Sequence, residues 1–285
     1  FIEVTGGKVW YRIVGQDKPG VPVLAIHGGP GAPHDYMEPL EKWADERPVI
    51  FYDQLGCGNS EIPSDESLWT VERFVEELET VRTALGISKV HLFGQSWGTM
   101  LAVEYMLRKK PNGVVSMVLS APYLNTAMWE RDQSEWIRQL PEEVQQVIVE
   151  CEKSGRYDSP EYQEAMGVFY QKHVCRLDPW PDCVNQAFEK MGIEVYHHMW
   201  GPSEFTMTGT LKNADLTEQL KMIRVPVLFT CGEFDESTPA SVQYFQSKLP
   251  GSSVHVFNGA SHMHHLEKEE EFHQVATAFL KATEH

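Results

Sequence analysis

The sequence predicts an α/β architecture: a mostly parallel, doubly wound sheet with helices on both faces, interrupted by a helical insertion. Three observations carry that prediction. Short β-rich runs alternate with helical patterns, several of those runs are apolar on both faces, and the alternation stops near residue 123 and resumes near 207. The strands read as KVWYRIVG, VPVLAIH, PVIFYD, KVHLFG and VVSMVLS in the first half, then VPVLFTC and SVHVFN in the second.

Between the strands, TVERFVEELETVRTALG puts Val71, Phe74, Val75, Leu78, Val81 and Leu85 on one helical stripe, with Thr70 as N-cap and Gly86 as stop. The next helix runs from Gly98 through LAVEYMLRKK, and its basic end before Pro111 suits a helix C-terminus. From residue 123 to 206, WERDQSEWIRQL, PEEVQQVIVECEKSG and PEYQEAMGVFYQKHV read as helices. Further helices are predicted near 239–248 and from Glu267 toward Ala282. The expected division is a catalytic domain at 1–122 and 207–285, with a helical cap at 123–206.

Composition narrows the function. The 285 residues are 42% hydrophobic, enough for a sizeable core, and 41 acidic against 24 basic residues give a net charge of −17. Such a surface repels phosphate backbones, so a nucleic-acid partner is not expected. No apolar run approaches the roughly 20 residues of a membrane span, and no basic-then-apolar leader is visible. Five cysteines, an odd number without a C-x-x-C pair, predict reduced thiols and a cytoplasmic protein; Cys175 and Cys183 are near enough to bridge, but free thiols are expected.

The strongest chemical signal is KVHLFGQSWGTM, where a strand runs through Gly94-Gln95-Ser96-Trp97-Gly98 into a helix. This strand-turn-helix context gives G-x-S-x-G its meaning as the nucleophile elbow of α/β-hydrolases. The glycines allow close backbone approach, and the strained turn lifts the Ser96 hydroxyl beside a helix N-terminus. A serine nucleophile needs a base and an orienting carboxylate. Of the twelve histidines, His262 in NGASHMHHLE follows the last strand, and Asp235 in CGEFDESTP follows the strand before it, completing the order Ser, acid, His. Asp235 is the favoured acid, flanked by Glu233 and Glu236. The run H-M-H-H-L-E lacks the aspartate of the H-x-H-x-D-H metal pattern, H-E-x-x-H is absent, and no G-K-[ST] follows the glycines at 28–31, so neither metal nor other cofactor is expected.

HGGPG at 27–31, DQLGCGNS at 53–60, GQSWGT at 94–99, GPSEF at 201–205, GEFDESTP at 232–239 and ASH at 260–262 together resemble the proline iminopeptidases of the α/β-hydrolase fold, most nearly the tricorn-interacting aminopeptidases. Leu55 stands where many relatives carry arginine in D-Q-R-G. The resemblance implies a triad of Ser96, Asp235 and His262, an oxyanion hole from the amides of Gly29 and Trp97, and recognition of the substrate's α-amine by Glu204 and Glu236. The implied activity is release of an N-terminal residue, proline or another, from a small peptide or amino-acid amide through an acyl-enzyme. The alternatives are an esterase, lactonase or amidase on this fold and, in a different class, a binding protein that retains it. His27 is expected to brace the glycine loop. Trp129, Trp136, Trp180, Trp200 and Phe205 either wall a pocket or pack the cap, and packing is the expectation.

Overall fold

In the computed structural model, which describes residues 1–284, five strand ends converge on one edge of a seven-stranded sheet. The strands are β3 (Tyr11–Val14), β4 (Val23–Ile26), β5 (Val49–Tyr52), β6 (Val90–Gln95), β7 (Val114–Ser120), β8 (Val227–Gly232) and β9 (Ser253–Phe257), in the order β3-β5-β4-β6-β7-β8-β9. Only β3 runs antiparallel. The register pairs Ile26 with Gly94, Gln95 with Ser120, Ser120 with Thr230 and Gly232 with Phe257. The loops leaving β4, β6, β8 and β9 therefore open side by side, where ligands bind in sheets of this kind.

Every residue of β4, β5, β6 and β8 is buried, because helices cover both faces. The period of two sorts their side chains into two cores: Leu24, Ile26, Leu92, Met117, Leu119 and Phe229 enter one, while Val23, Ala25, Phe93, Val118 and Leu228 enter the other. Helix α1 (Val71–Ala84) buries Phe74, Val75, Leu78 and Val81 in the first core. Thr70 caps it, its hydroxyl accepting from the Arg73 amide at 3.2 Å, and Gly86 follows the helix at φ +66°. Helix α2 (Trp97–Lys109) follows β6 directly.

KVWYRIVG, expected as one strand, is two. Residues Gly7–Val9 (β2) pair with Ile2–Val4 (β1) in a separate ribbon, and β3 joins the main sheet. The break falls at Trp10, whose amide donates to Ser60 Oγ at 2.8 Å instead of to a strand.

Between β7 and β8 the chain is helical: α3 (Thr126–Ile137), α4 (Glu142–Ser154), α5 (Pro160–His173), α6 (Asp182–Glu189) and α7 (Ile193–Met199). The last two went unread because helices of 8 and 7 residues show barely two turns of periodicity. Helix α8 (Pro239–Lys248) matches its predicted span. The final helix divides into a turn, α9 (His264–Glu267), and α10 (Glu269–Ala282), because Lys268 leaves helical geometry at φ −130°. All five cysteines are free, Cys175 and Cys183 among them.

Candidate active site

Ser96 is held between β6 and α2 at φ +53°, ψ −123°, a conformation that an L-residue keeps only when its surroundings force it. Its amide donates to Ser120 O at 3.0 Å and its carbonyl accepts from Thr99 Oγ1 at 2.7 Å. The two glycines serve close approach. A Cβ on Gly94 would stand 2.5 Å from Gly98 O, and one on Gly98 would overlap Ile26 O and stand 2.8 Å from His27 O.

On the neighbouring loops, His262 Nδ1 lies 2.8 Å from Asp235 Oδ1. The amides of Gly232 and Ser237 donate to the same carboxylate at 3.1 and 2.9 Å. Burial opposes charge on Asp235, but His262 and His264 hold the group down at about 2. Glu233, the flanking alternative, is exposed and accepts from the Gly259 amide at 2.8 Å. The end of α5 also steadies the histidine, since His262 N donates to His173 O at 3.0 Å. Ser96 and His262 line one cavity, and among the described residues no hydrogen bond joins their side chains, as is common before substrate binds. His264 turns its Nε2 to Ser120 Oγ and Thr230 Oγ1 at 3.0 and 2.9 Å, and His265 bonds to Tyr36 O at 3.1 Å. Among the described residues no group of three or more His, Cys, Asp or Glu is disposed to hold a metal ion.

The glycine loop lies against the elbow. A Cβ on Gly28 would stand 3.0 Å from Ser96 Cβ, and one on Gly29, at φ +105°, would stand 2.5 Å from the Ala32 amide. Tyr36 ties the parts together: its hydroxyl accepts from Gly28 N–H at 2.8 Å and donates to Gln95 Oε1 at 2.7 Å. Gln95 in turn reaches His262 O at 3.5 Å. Gly29 N–H and Trp97 N–H have no acceptor among the described residues, and Gly29 lines the cavity with Ser96. His27 donates from Nδ1 to Gly28 O at 3.0 Å and accepts the Gln54 amide at Nε2, 2.8 Å. Burial lowers it to about 4, so it braces the loop as a neutral ring.

Two carboxyls complete the cavity wall. Glu204 sits in a turn closed by Gly201, Ser203 and Thr206; Tyr196 OH donates to its Oε1 at 2.8 Å, and Trp129 Nε1 holds its carbonyl at 2.9 Å. Glu236 is wholly buried, and neither carboxyl oxygen has a hydrogen-bond partner among the described residues. One of them stands 3.7 Å from His262 Nδ1. Burial raises both glutamates above the usual carboxylate range. For Glu236 the charges of Glu204 and Asp235 push the same way; for Glu204, His262 partly opposes the rise.

The cavity holds about 500 Å³. Its walls are Tyr36, Met166, Tyr170, Phe188, Met191 and Tyr196 rather than the five aromatics considered from the sequence, none of which lines it. Trp200 and Phe205 are core, and Trp180 bonds to Cys175 O at 3.0 Å. Trp129 and Trp136 brace the site from behind, the latter donating to Asp235 O at 2.9 Å. Tyr36 and Gln95 went unread in the sequence, although Gln95 lies inside GQSWG and Tyr36 stands five residues past HGGPG.

A family model described as the alpha/beta hydrolase fold matches residues 21–269. A proline iminopeptidase of Heyndrickxia coagulans is 45% identical over 99% of this chain and 98% of its own. The crystal structure of proline iminopeptidase from Mycobacterium smegmatis superposes with a TM-score of 0.91 at 36% identity, covering 99% of this chain and 97% of that one. The crystal structure of VinJ superposes at 0.95 with 35% identity and the same coverage.

Proposed function

The chain belongs to the proline iminopeptidase family of α/β-hydrolases, and on that premise we propose that it is a serine aminopeptidase releasing N-terminal proline from peptides through an acyl-enzyme. The observation that carries this reading is the pairing of Glu204 with an unpartnered, buried Glu236 in the cavity that holds Ser96 and His262. A buried carboxyl without a donor is costly, and a substrate ammonium supplies what it lacks.

In this mechanism His262 takes the Ser96 proton as the hydroxyl attacks the scissile carbonyl. Asp235 fixes the imidazole tautomer with its proton on Nδ1 and stabilises the charged ring. The free amides of Gly29 and Trp97 hold the oxyanion, each contributing about 3–4 kcal/mol in the transition state. His262 then protonates the leaving amine and activates the water that clears the acyl-enzyme. Glu204 and Glu236 take the secondary ammonium of proline and so place its carbonyl over Ser96. The helices at 123–206 act as a cap that closes the amine end, and the five unbridged cysteines fit a cytoplasmic setting.

The test is a panel of aminoacyl-anilides with free and blocked N-termini. Prolyl-anilide is expected to turn over fastest, and its N-acylated form not at all. Equal turnover of blocked and free compounds would overturn the aminopeptidase reading in favour of an esterase or amidase.

A further inference from the structure

The cavity is larger than its proposed first occupant. A volume of about 500 Å³ suits a drug-sized molecule, far more than one prolyl ring, and the surplus opens outward between α5, α6 and the start of α7. The turn from α6 to α7 is pinned on two loops, with Gly192 N donating to Gly31 O of the glycine loop at 2.8 Å and Gly58 N of the 53–60 segment donating to Lys190 O at 3.0 Å. With the substrate's amine held at Glu204 and Glu236 and its carbonyl at Ser96, the chain beyond the scissile bond has to continue into the rest of the cavity, which His262 also lines, so the outer space is the leaving-group side.

Two properties mark that space. Phe188 and Ile193, 39% and 50% exposed, stand at its rim as large apolar side chains that a bound apolar group would cover. Apart from its tyrosines, His197 and His262, its ionisable lining is acidic, with Asp158, Glu189, Glu204 and Glu236, and among the described residues it includes no Lys or Arg. The cations next in sequence to the lining are engaged elsewhere, Lys190 by Asp35 and Arg156 by Glu161 at 2.8 Å.

We infer that this outer space is a leaving-group site for an apolar or cationic residue lacking a free carboxylate, so that prolyl peptides with an extended or amidated C-terminus are cleaved in preference to prolyl dipeptides. The inference rests on the proposed aminopeptidase reading. A dipeptide carboxylate would enter a space that faces Asp158 and Glu189 with no Lys or Arg in its lining. A phenylalanyl or lysyl amide would lie on Phe188 and Ile193, and the lysyl ammonium would reach Asp158 or Glu189.

The experiment compares kcat/KM for Pro-Phe, Pro-Phe amide, Pro-Lys amide and Pro-Asp amide at pH 8, where histidines are ordinarily uncharged. Pro-Phe amide is expected to exceed Pro-Phe by about tenfold or more, with Pro-Asp amide poorest, a charge effect of roughly one pKa-unit equivalent. The Asp158→Lys, Glu189→Lys double variant is expected to narrow both gaps, and 1 M salt to narrow them in the parent enzyme. Phe188→Ala is expected to lower the amide of phenylalanine more than that of glycine. Equal kcat/KM for acid and amide, or gaps unmoved by charge reversal, would overturn the inference while prolyl-anilide turnover keeps the aminopeptidase reading. Absence of turnover of every prolyl compound would overturn both.

Discussion

Glu236 follows Asp235 in the chain and is buried as completely, yet only Asp235 has donors. Asp235 receives His262 and two amides; Glu236 receives nothing and faces Glu204 instead. One carboxyl is held charged and the next is driven toward its neutral form, so two adjacent acids divide between orienting a base and awaiting a cation.

This division predicts opposite outcomes for isosteric changes. Asp235→Asn is expected to lower kcat by about 10⁴-fold, because the imidazole loses its required tautomer. Glu236→Gln is expected to spare most of kcat on saturating substrate while raising KM, measured with prolyl-anilide.

Stability should follow with a definite sign. The folded pKa of Glu236 lies above its unfolded value, so the folded state binds its proton more tightly and loses stability as pH rises past the ordinary carboxylate range. Glu236→Gln removes that slope. Its melting temperature is expected to gain on the parent as pH climbs from about 4.3 toward neutrality, and a gain independent of pH would contradict the assignment. Asp235 acts in reverse: it contributes stability above its unfolded pKa near 3.9, which is lost as pH falls toward its folded value of about 2.

The amine anchor makes a separate prediction. A charge-assisted hydrogen bond contributes roughly 1.5–3 kcal/mol, so Glu204→Gln is expected to cost about ten- to a hundredfold in kcat/KM for free-amine substrates. Turnover of an N-blocked ester by the same variant should change little. Equal losses on both would assign Glu204 to the scaffold.

Much of the fold was legible because its signals are local and redundant. Several strands from VPVLAIH onward are apolar on both faces, and α1 announces itself by stripe, cap and stop together. The order of Ser96, Asp235 and His262 could be read for the same reason, each standing just past a strand. What escaped reading depends on distant partners. Trp10 breaks a strand because Ser60, fifty residues away, takes its amide. Glu236 could be named only through the resemblance, since burial alone separates it from Glu233, and part of the cavity wall comes from α6 and α7, whose short lengths carry no period. Leu55 belongs to the same class: its amide meets Glu77, itself paired with Arg73.

Backbone strain at the elbow separates nucleophile from scaffold. At φ +53° a non-glycine residue costs on the order of 1–3 kcal/mol, and glycine does not bear that cost. Ser96→Ala and Ser96→Gly are both expected to lower kcat by about 10⁴- to 10⁶-fold. Only Ser96→Gly relaxes the turn, so in thermal melts it is expected to be the more stable of the two despite its greater unfolded-state entropy. The reverse order would mean that the elbow is not strained.

Tyr36 links three parts that must stay in register: the glycine loop through Gly28 N–H, the elbow through Gln95, and His262 through the Gln95 amide. Tyr36→Phe keeps the ring packing against His265 but leaves the Gly28 amide buried without an acceptor, a cost of about 1–3 kcal/mol in stability. If the hydroxyl only filled space, catalysis would be untouched. Because Gly29 follows Gly28 directly, a loosened loop misaims the oxyanion donor, and a loss there acts on the transition state more than on the bound substrate. The expected signature is a fall in kcat of about ten- to a hundredfold with KM nearly constant, together with weaker inhibition by a prolyl boronate that mimics the tetrahedral intermediate. Unchanged kcat beside a lowered melting temperature would reduce Tyr36 to a packing residue.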